Sequence, residues 1–202
     1  GGEGGMLVLN DTRLWETAWA YKDHGKSFDA VFKREHPPGF RWLHESFGSN
    51  FRMTEMQAAI GRRQLAKLPQ WLAVRRRNAA ALDAGFAAIP GLRVVRPPRG
   101  FGHAYYKYYA FVEAGFLAAG WDATRIIEAI NAEGVPCFAG SCSEIYRERA
   151  FAERGWGPAR RLPVAQMLGE TSLMFMVHPT LGEAEMGDTV GAVHKVMQAA
   201  AR

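Results

Sequence analysis

The segment Gly48-Ser-Asn-Phe-Arg-Met-Thr-Glu-Met-Gln-Ala-Ala-Ile-Gly61 carries the strongest structural signal in this chain of 202 residues. Within it, Gln57 follows Thr54 by three residues, which is the spacing of a capping box at the start of a helix. Apolar residues then recur at the spacing of one helix face, at Met56, Ala59, Ile60, Leu65 and Leu68. The segment therefore predicts a loop that leads through Thr54 into an amphipathic helix.

Pro69 is expected to interrupt that helix, because proline lacks a backbone N–H and clashes with the preceding turn. We place it in the first turn of a second helix that runs to about Ala88, where Ile89-Pro90-Gly91 stops it. Two consecutive helices that meet near Pro69 are thus predicted.

The rest of the chain alternates between short apolar runs and helical patterns. Met6–Leu9 predicts a buried strand before a helix over 12–24, and residues 25–48 predict a long loop. Later strands are predicted over 105–112, 135–138 and 172–177, and later helices over 122–133, 146–154 and 182–200. This alternation predicts a small α/β domain in the second half of the chain.

The composition is that of one or two globular domains, with 48% hydrophobic residues and no apolar run long enough to cross a membrane. The two cysteines, Cys137 and Cys142, match neither a redox pair nor a zinc site, and so low a count suits a reducing cytoplasm. The histidines show no spacing typical of metal ligands, at His24, His36, His44, His178 and His194. No metal site is predicted.

The chain carries a formal net charge of +5, and part of the excess is concentrated on one helical stretch. The basic residues there are Arg62, Arg63, Lys67, Arg75, Arg76 and Arg77. We interpret them as the polar face of an amphipathic helix rather than as a nucleic-acid contact. A basic regulatory or nucleic-acid-binding domain stays open as the non-enzymatic alternative.

The pattern Gly-Ser-Asn-Phe-Arg-Met that begins at Gly48 resembles a signature of the DegT/DnrJ/EryC1/StrS aminotransferases. These enzymes use pyridoxal 5′-phosphate (PLP) to aminate keto-sugars on nucleotide carriers. Gly2-Glu-Gly-Gly-Met6 resembles the glycine run that follows the Schiff-base lysine in that family. By itself, this run fits a tight turn into a strand, since a phosphate-binding loop would be followed by a helix.

The resemblance implies the C-terminal portion of a PLP-dependent transferase of fold type I. Residues 1–68 would be the end of the large PLP-binding domain, 69–90 an interdomain helix, and 91–202 the small α/β domain. The first of these segments is expected to be unstable alone, because a strand without its neighbours leaves backbone groups unpaired.

The family resemblance also implies which residues form the site. Asn50 is expected to hydrogen-bond the PLP phosphate of the partner subunit in a homodimer, a role for which an amide needs no ionisation. Arg52 fits a phosphate or substrate contact and a structural ion pair about equally. In relatives, the loop after the second small-domain strand meets the substrate, and here it offers Ser141, Cys142, Ser143 and Tyr146.

That loop departs from the family pattern, because many relatives have a histidine where this chain has Ser141-Cys-Ser143. Cys142 is a poor candidate for a nucleophile, since PLP chemistry needs none.

The resemblance implies a cytoplasmic homodimer that aminates a nucleotide-linked keto-sugar for polysaccharide or antibiotic biosynthesis, with glutamate as amino donor. No catalytic residue is expected within the chain, because the Schiff-base lysine would lie upstream of Gly1, and the chain alone is expected to be inactive. Family members that carry histidine instead of the lysine are sugar dehydratases, which form the second enzymatic alternative. No nucleic-acid or membrane partner is expected.

Overall fold

The computed structural model describes residues 2–39 and 41–202. The chain forms two compact units, one up to Lys67 and the other from Leu68 to Arg202. The predicted division into a large-domain segment, an interdomain helix and a small domain stays a prediction.

The N-terminal unit contains α1 (Thr12–Lys22), α2 (Phe28–Phe32) and the first turns of α3 (Glu55–Phe86). Each short helix starts at a side-chain cap: Asp11 accepts the N–H of Leu14, and Ser27 that of Ala30. The α3 helix starts at the predicted capping box. The N–H of Gln57 donates to Thr54 Oγ1 (3.3 Å), and the N–H of Thr54 donates to Gln57 Oε1 (3.1 Å).

The expected break at Pro69 is wrong, because α3 is one continuous helix of 32 residues. Proline removes only the hydrogen bond to the carbonyl of Leu65, and both residues are exposed, so water can replace that bond. Beyond Pro69, the helix buries Leu82 and Phe86 completely. We infer that this burial offsets the cost of about 3 kcal/mol for a proline in a helix interior.

Two other predictions for the N-terminal half are corrected. Residues 6–9 form no strand, and Met6, Leu7 and Val8 are 71–83% exposed. No strand in the described part of this unit lies beside them, so their backbone groups have no ladder to join. The expected loop at 25–48 contains α2, whose apolar residues pack on α1, as in the contact of Phe28 with Trp19 at 5.1 Å between ring centroids.

The C-terminal unit is built on an antiparallel sheet of four strands in the order β1-β2-β4-β3. The strands are β1 (Leu92–Val94), β2 (Tyr108–Val112), β3 (Cys137–Ala139) and β4 (Ser172–Phe175). Besides the end of α3, its helices are α4 (Ala123–Ala132), α5 (Arg149–Ala152), α6 (Pro163–Thr171) and α7 (Glu183–Ala200). The predicted α/β class is confirmed.

A continuous apolar core holds this unit together. Phe86 from α3 packs on Phe175 of β4, with ring centroids 5.0 Å apart, and Tyr108 of β2 lies beside it. Fully buried residues of the flanking helices complete the core, among them Ile126, Ile130 and Val193. Alternate residues of β2 enter this core, as the period of a strand requires.

The sequence prediction missed β1 and α6 and misplaced other boundaries. Strand β2 starts at Tyr108 rather than 105, because the carbonyls of Tyr105 and Tyr106 accept hydrogen bonds from Arg75 instead of a strand neighbour. The expected helix over 146–154 is a short 3-10 turn, Ile145–Arg147, followed by the single turn of α5. No helix among the described residues is long and apolar enough to cross a membrane.

Glycine substitutions in two helices test this packing. A Cβ at Gly85 of α3 would lie 2.4 Å from Val190 Cγ2, so Gly85→Ala is expected to destabilise the C-terminal unit by about 1–3 kcal/mol. The matched control is Gly191→Ala in α7, where a Cβ meets nothing within 4 Å. It is expected to stabilise by about 0.5–1 kcal/mol through helix propensity. Denaturant unfolding of both variants measures the change in the free energy of unfolding. Equal changes in the two variants would contradict the packing of α3 on α7.

Hydrogen exchange of the isolated 202-residue chain should separate the two units. The buried hydrophobic residues described in the N-terminal unit are only Ala20, Ala30 and Leu43, whereas the continuous core lies entirely in the C-terminal unit. We therefore expect strong amide protection in β2, β4 and α7 and weak protection in α1 and α2. Equal protection of both units would contradict this expectation.

Candidate functional site

The segment that contains Asn50 lies against the C-terminal end of α1. Backbone hydrogen bonds join Ser49 N–H to the carbonyl of Tyr21 (2.7 Å), His24 N–H to the carbonyl of Ser49 (3.1 Å), and Phe51 N–H to the carbonyl of Lys22 (2.9 Å). Asp23 and Asn50 form an antiparallel bridge between them. The backbone around Asn50 is therefore fixed on both sides of the residue.

Two glycines allow this close contact. A Cβ on Gly48 would lie 2.5 Å from Gly25 N and 2.6 Å from the carbonyl oxygen of Tyr21. A Cβ on Gly25, whose φ is +88°, would lie 1.7 Å from the carbonyl oxygen of Ser46. Glycine is required at both positions, because a side chain would push the two segments apart.

The carboxamide of Asn50 is oriented by Arg52. Asn50 Oδ1 accepts hydrogen bonds from Arg52 Nε (3.1 Å) and from the Arg52 backbone N–H (3.4 Å). The Asn50 side chain is exposed, and its Nδ2 has no hydrogen-bond partner within residues 2–39 and 41–202. The structure thus brings the two predicted residues together and leaves an amide donor facing outward.

Asp23 connects Asn50 and Arg52 to the interior of the N-terminal unit. Its Oδ1 lies 3.1 Å from Lys26 Nζ and 3.4 Å from Arg52 Nε, and its side chain is 13% exposed. Burial by itself would raise the pKa of Asp23, but the hydrogen bond and charge of Lys26, with the charge of Arg52, outweigh it and lower that pKa. Asp23 is therefore an anion that holds two cations close to Asn50.

The two glycine-containing motifs contact each other. Gln57 Nε2 donates to the carbonyl of Glu3 (3.4 Å), and a Cβ on Gly4 would lie 3.1 Å from Met53 Cε. The glycine-rich segment therefore lies against the start of α3. Gly1 itself lies outside the described residues.

The loop after β3 contains the other predicted substrate residues. Ser141 Oγ lies 3.2 Å from the Tyr109 hydroxyl, and Cys142 Sγ is 3.6 Å from Glu148 Oε1. Ser143 faces Gly169 of α6, where an added Cβ would lie 2.5 Å from the serine hydroxyl. Ser141, Cys142 and Ser143 line an open cavity of about 460 Å³. Cys142 is a free, exposed thiol.

Glu144 organises this loop, although the sequence analysis did not single it out. Arg161 donates to both of its carboxylate oxygens, from Nε to Oε1 (2.9 Å) and from Nη2 to Oε2 (2.5 Å). Tyr146 donates its hydroxyl hydrogen to Oε1 (2.6 Å) and accepts the N–H of Leu162 (2.9 Å). The hydroxyl of Tyr146 thus joins the loop to the start of α6, and its predicted contact with substrate stays a prediction.

The sequence carried little signal for the missed residues. Glu144 and Arg161 are 17 positions apart, so no periodicity joins them. Asp23 precedes a glycine turn, as carboxylates often do for purely local reasons. Among the described residues, no group of three or more His, Cys, Asp or Glu side chains is placed to hold a metal ion.

The Glu144 interactions predict a pH-dependent stability. Hydrogen bonds from Arg161 and Tyr146 lower the pKa of Glu144 to about 2, below its value of about 4.3 in an unfolded chain. This stabilisation is present above pH 4.3 and is lost as the pH falls towards 2. Glu144→Gln should therefore lower the melting temperature at pH 7, and the difference from wild type should shrink near pH 2.

The control for that experiment is Glu153→Gln. Glu153 pairs with Arg149 at 2.5 Å, but the two side chains are 60% and 90% exposed, so little stabilisation is expected from the pair. A loss at pH 7 no larger for Glu144→Gln than for Glu153→Gln would contradict the proposed importance of the Glu144 network.

Known proteins resemble this chain in sequence and in structure. The solved aminotransferase from Psychrobacter cryohalolentis superposes with a TM-score of 0.87 and 53% identity, over 95% of this chain and 50% of that one. An L-glutamine:2-deoxy-scyllo-inosose aminotransferase from Streptoalloteichus tenebrarius is 30% identical, over 98% of this chain and 50% of its own length. A GDP-4-keto-6-deoxy-D-mannose 3-dehydratase from Escherichia coli O55:H7 is 28% identical, over 67% of this chain and 35% of its own.

The chain spans about half the length of the aminotransferases it matches. Its structural neighbours are PLP-dependent aminotransferases of fold type I, which confirms the predicted fold class. The model of the DegT/DnrJ/EryC1/StrS aminotransferase family matches residues 1–194. The chain therefore belongs to the DegT/DnrJ/EryC1/StrS aminotransferase family.

Proposed function

We propose that the protein containing this chain is a PLP-dependent aminotransferase that acts on a nucleotide-linked keto-sugar. The observation that carries the proposal is the outward-facing Nδ2 of Asn50, whose oxygen is held by Arg52. Family membership makes an aminotransferase the leading interpretation of that donor.

The residues around Asn50 fit a cofactor phosphate. The Asn50 amide offers two N–H donors at an exposed position, and its neighbours Lys22, Lys26 and Arg52 outnumber the single carboxylate of Asp23. A phosphate dianion favours such a surface through both hydrogen bonds and charge. When bound, PLP supplies an electron sink and carries the amino group between donor and acceptor. The Schiff-base lysine that holds it is proposed to lie upstream of Gly1.

A homodimer is part of this proposal, with Asn50 donating to the cofactor phosphate of the partner subunit. Large apolar side chains near Asn50 are exposed, including Phe47 (99%) and Phe51 (66%). Exposed apolar surface of this kind favours burial by other parts of the protein or by a second copy. The isolated 202-residue chain is accordingly proposed to be inactive.

The loop after β3 is proposed to contact the sugar nucleotide. Ser141 and Ser143 offer hydroxyl groups that donate and accept hydrogen bonds, which suits sugar hydroxyls and a diphosphate. Glu144 and Tyr146 hold the loop in place, so the serines are presented on a fixed backbone. Glutamate is proposed as the amino donor, and L-glutamine, which appears in the name of the Streptoalloteichus relative, is the alternative donor.

A dehydratase of the same family is the second candidate, supported by the relative from Escherichia coli that is named as a 3-dehydratase. The residue at the lysine position, lysine or histidine, separates the two activities.

The nucleic-acid alternative loses support, because Arg75 and Arg76 donate to backbone carbonyls of residues 103–106 rather than facing solvent unpaired. Cys137 and Cys142 are both free cysteines, which suits a reducing compartment, and the cytoplasm is the proposed location.

The test is an assay of the full-length protein with PLP and a panel of GDP- and dTDP-linked keto-sugars, with L-glutamate or L-glutamine as donor. Mass spectrometry should detect replacement of a keto oxygen by an amino group. Loss of a hydroxyl group without amination would instead identify the dehydratase. Asn50→Ala is expected to reduce activity at limiting PLP by roughly tenfold or more, because a hydrogen bond to a charged phosphate is lost. Turnover of keto-acids but of no keto-sugar would contradict the proposed substrate class.

A further inference from the structure

The orientation of the Asn50 amide is dictated by its neighbours. An arginine side chain has only donors, so the Asn50 atom that faces Arg52 Nε has to be the oxygen. The backbone N–H of Arg52 donates to the same oxygen and imposes the same orientation. If the amide flipped, its NH₂ group would face two other donors, and its oxygen would face the bound ligand.

Arg52 is in turn held by Asp23. The distance from Asp23 Oδ1 to Arg52 Nε is 3.4 Å, and Asp23 is fixed by Lys26 and by the backbone bridge to Asn50. Asp23 and Lys26 are both buried, so this pair belongs to the interior of the N-terminal unit. The buried carboxylate therefore attracts the exposed guanidinium through charge, at 3.4 Å and without a hydrogen bond between them.

We propose that Asp23 and Arg52 are positioning residues that lock the Asn50 carboxamide with its NH₂ group towards the ligand. This orientation favours an oxyanion, since the amide presents its donors, whereas an amide oxygen that faced a phosphate would repel it. This inference rests on the proposed function, in which the oxyanion is the phosphate of PLP.

The alternative is that Arg52 binds the phosphate directly. Its side chain is 46% exposed, and only Nε takes part in the contacts with Asn50 and Asp23. The two roles give different energetics. A residue that acts only through Asn50 has no further effect once Asn50 is removed, whereas a direct ligand contributes independently.

The experiment measures the dissociation constants of PLP and of pyridoxal, which lacks the phosphate, for the full-length protein. Asn50→Ala, Arg52→Met and Asp23→Asn are each expected to weaken PLP binding, the first two by roughly tenfold. Pyridoxal binding should change little in all three. The double variant Asn50→Ala with Arg52→Met should bind PLP no more weakly than Asn50→Ala alone.

Two further variants act as controls. Arg63→Met removes the same charge from an exposed position of α3 and should leave PLP binding unchanged. Arg52→Lys retains a donor and should restore part of the affinity lost in Arg52→Met. Thermal melts identify any variant that fails to fold, which concerns mainly the buried Asp23.

A second measurement does not depend on the cofactor. With ¹⁵N-labelled asparagine in the protein without PLP, the side-chain NH₂ signal of Asn50 should shift or broaden in Arg52→Met and Asp23→Asn. The same signal should be unchanged in Arg63→Met. No shift in the first two variants would overturn the positioning role, whatever the PLP affinities show.

The outcomes separate the inference from the function on which it rests. Additive losses in the double variant would overturn the inference and identify Arg52 as a direct phosphate ligand. An effect of Asn50→Ala without any effect of Asp23→Asn or Arg52→Met would also overturn it. If Asn50→Ala leaves PLP binding unchanged, the proposed cofactor contact fails, while the amide signal still decides whether Asp23 and Arg52 orient Asn50.

Discussion

The candidate cofactor site depends on the close contact between Gly48 and Gly25 at the end of α1. Because neither residue has a Cβ, Gly48 approaches the backbone of Gly25 and Tyr21, and the hydrogen bonds around Ser49 form. These bonds place Asn50 beside Asp23, and Asp23 holds Arg52. A methyl group at either glycine would separate the segments before any side chain of the site was changed.

The two units reach their stability in different ways. The C-terminal unit has a continuous core in which Phe86, Tyr108 and Phe175 pack on one another. The N-terminal unit buries few apolar residues completely, and it is held by aromatic contacts between α1 and α2 together with hydrogen bonds, helix caps and ion pairs. Since such interactions each contribute only about 1 kcal/mol net, they hold a local geometry but do not replace a core.

The sequence predicted those parts of the fold that depend on local chemistry. The capping box at Thr54 is present, because it depends on residues three positions apart. The helix predicted over 122–133 is present as α4, which starts at a side-chain cap from Asp122. The break at Pro69 was predicted wrongly, because the burial of Leu82 and Phe86 later in α3 overrides a local penalty. Strand β1 has three residues, too few to show a periodicity.

The same distinction applies to the site. Asn50 and Arg52 were predicted because they lie within one recognisable pattern, and their mutual contact spans only two positions. The partners Asp23 and Glu144 were missed, because Arg52 is 29 positions from the first and Arg161 is 17 positions from the second. Contacts between distant segments depend on how the chain folds back on itself, and sequence periodicity does not predict them.

In the proposed dimer, the site and the stability of the N-terminal unit become linked. The Asn50 amide belongs to the unit with the smaller core, yet it is proposed to bind a phosphate held by the other subunit. Any ligand that binds only the folded state stabilises that state. PLP would therefore stabilise the folded state of the subunit that holds it. It would also stabilise the segment of the partner subunit that contacts its phosphate. A residue such as Asp23, which orients the donor without touching the ligand, would then influence cofactor affinity and dimer stability together.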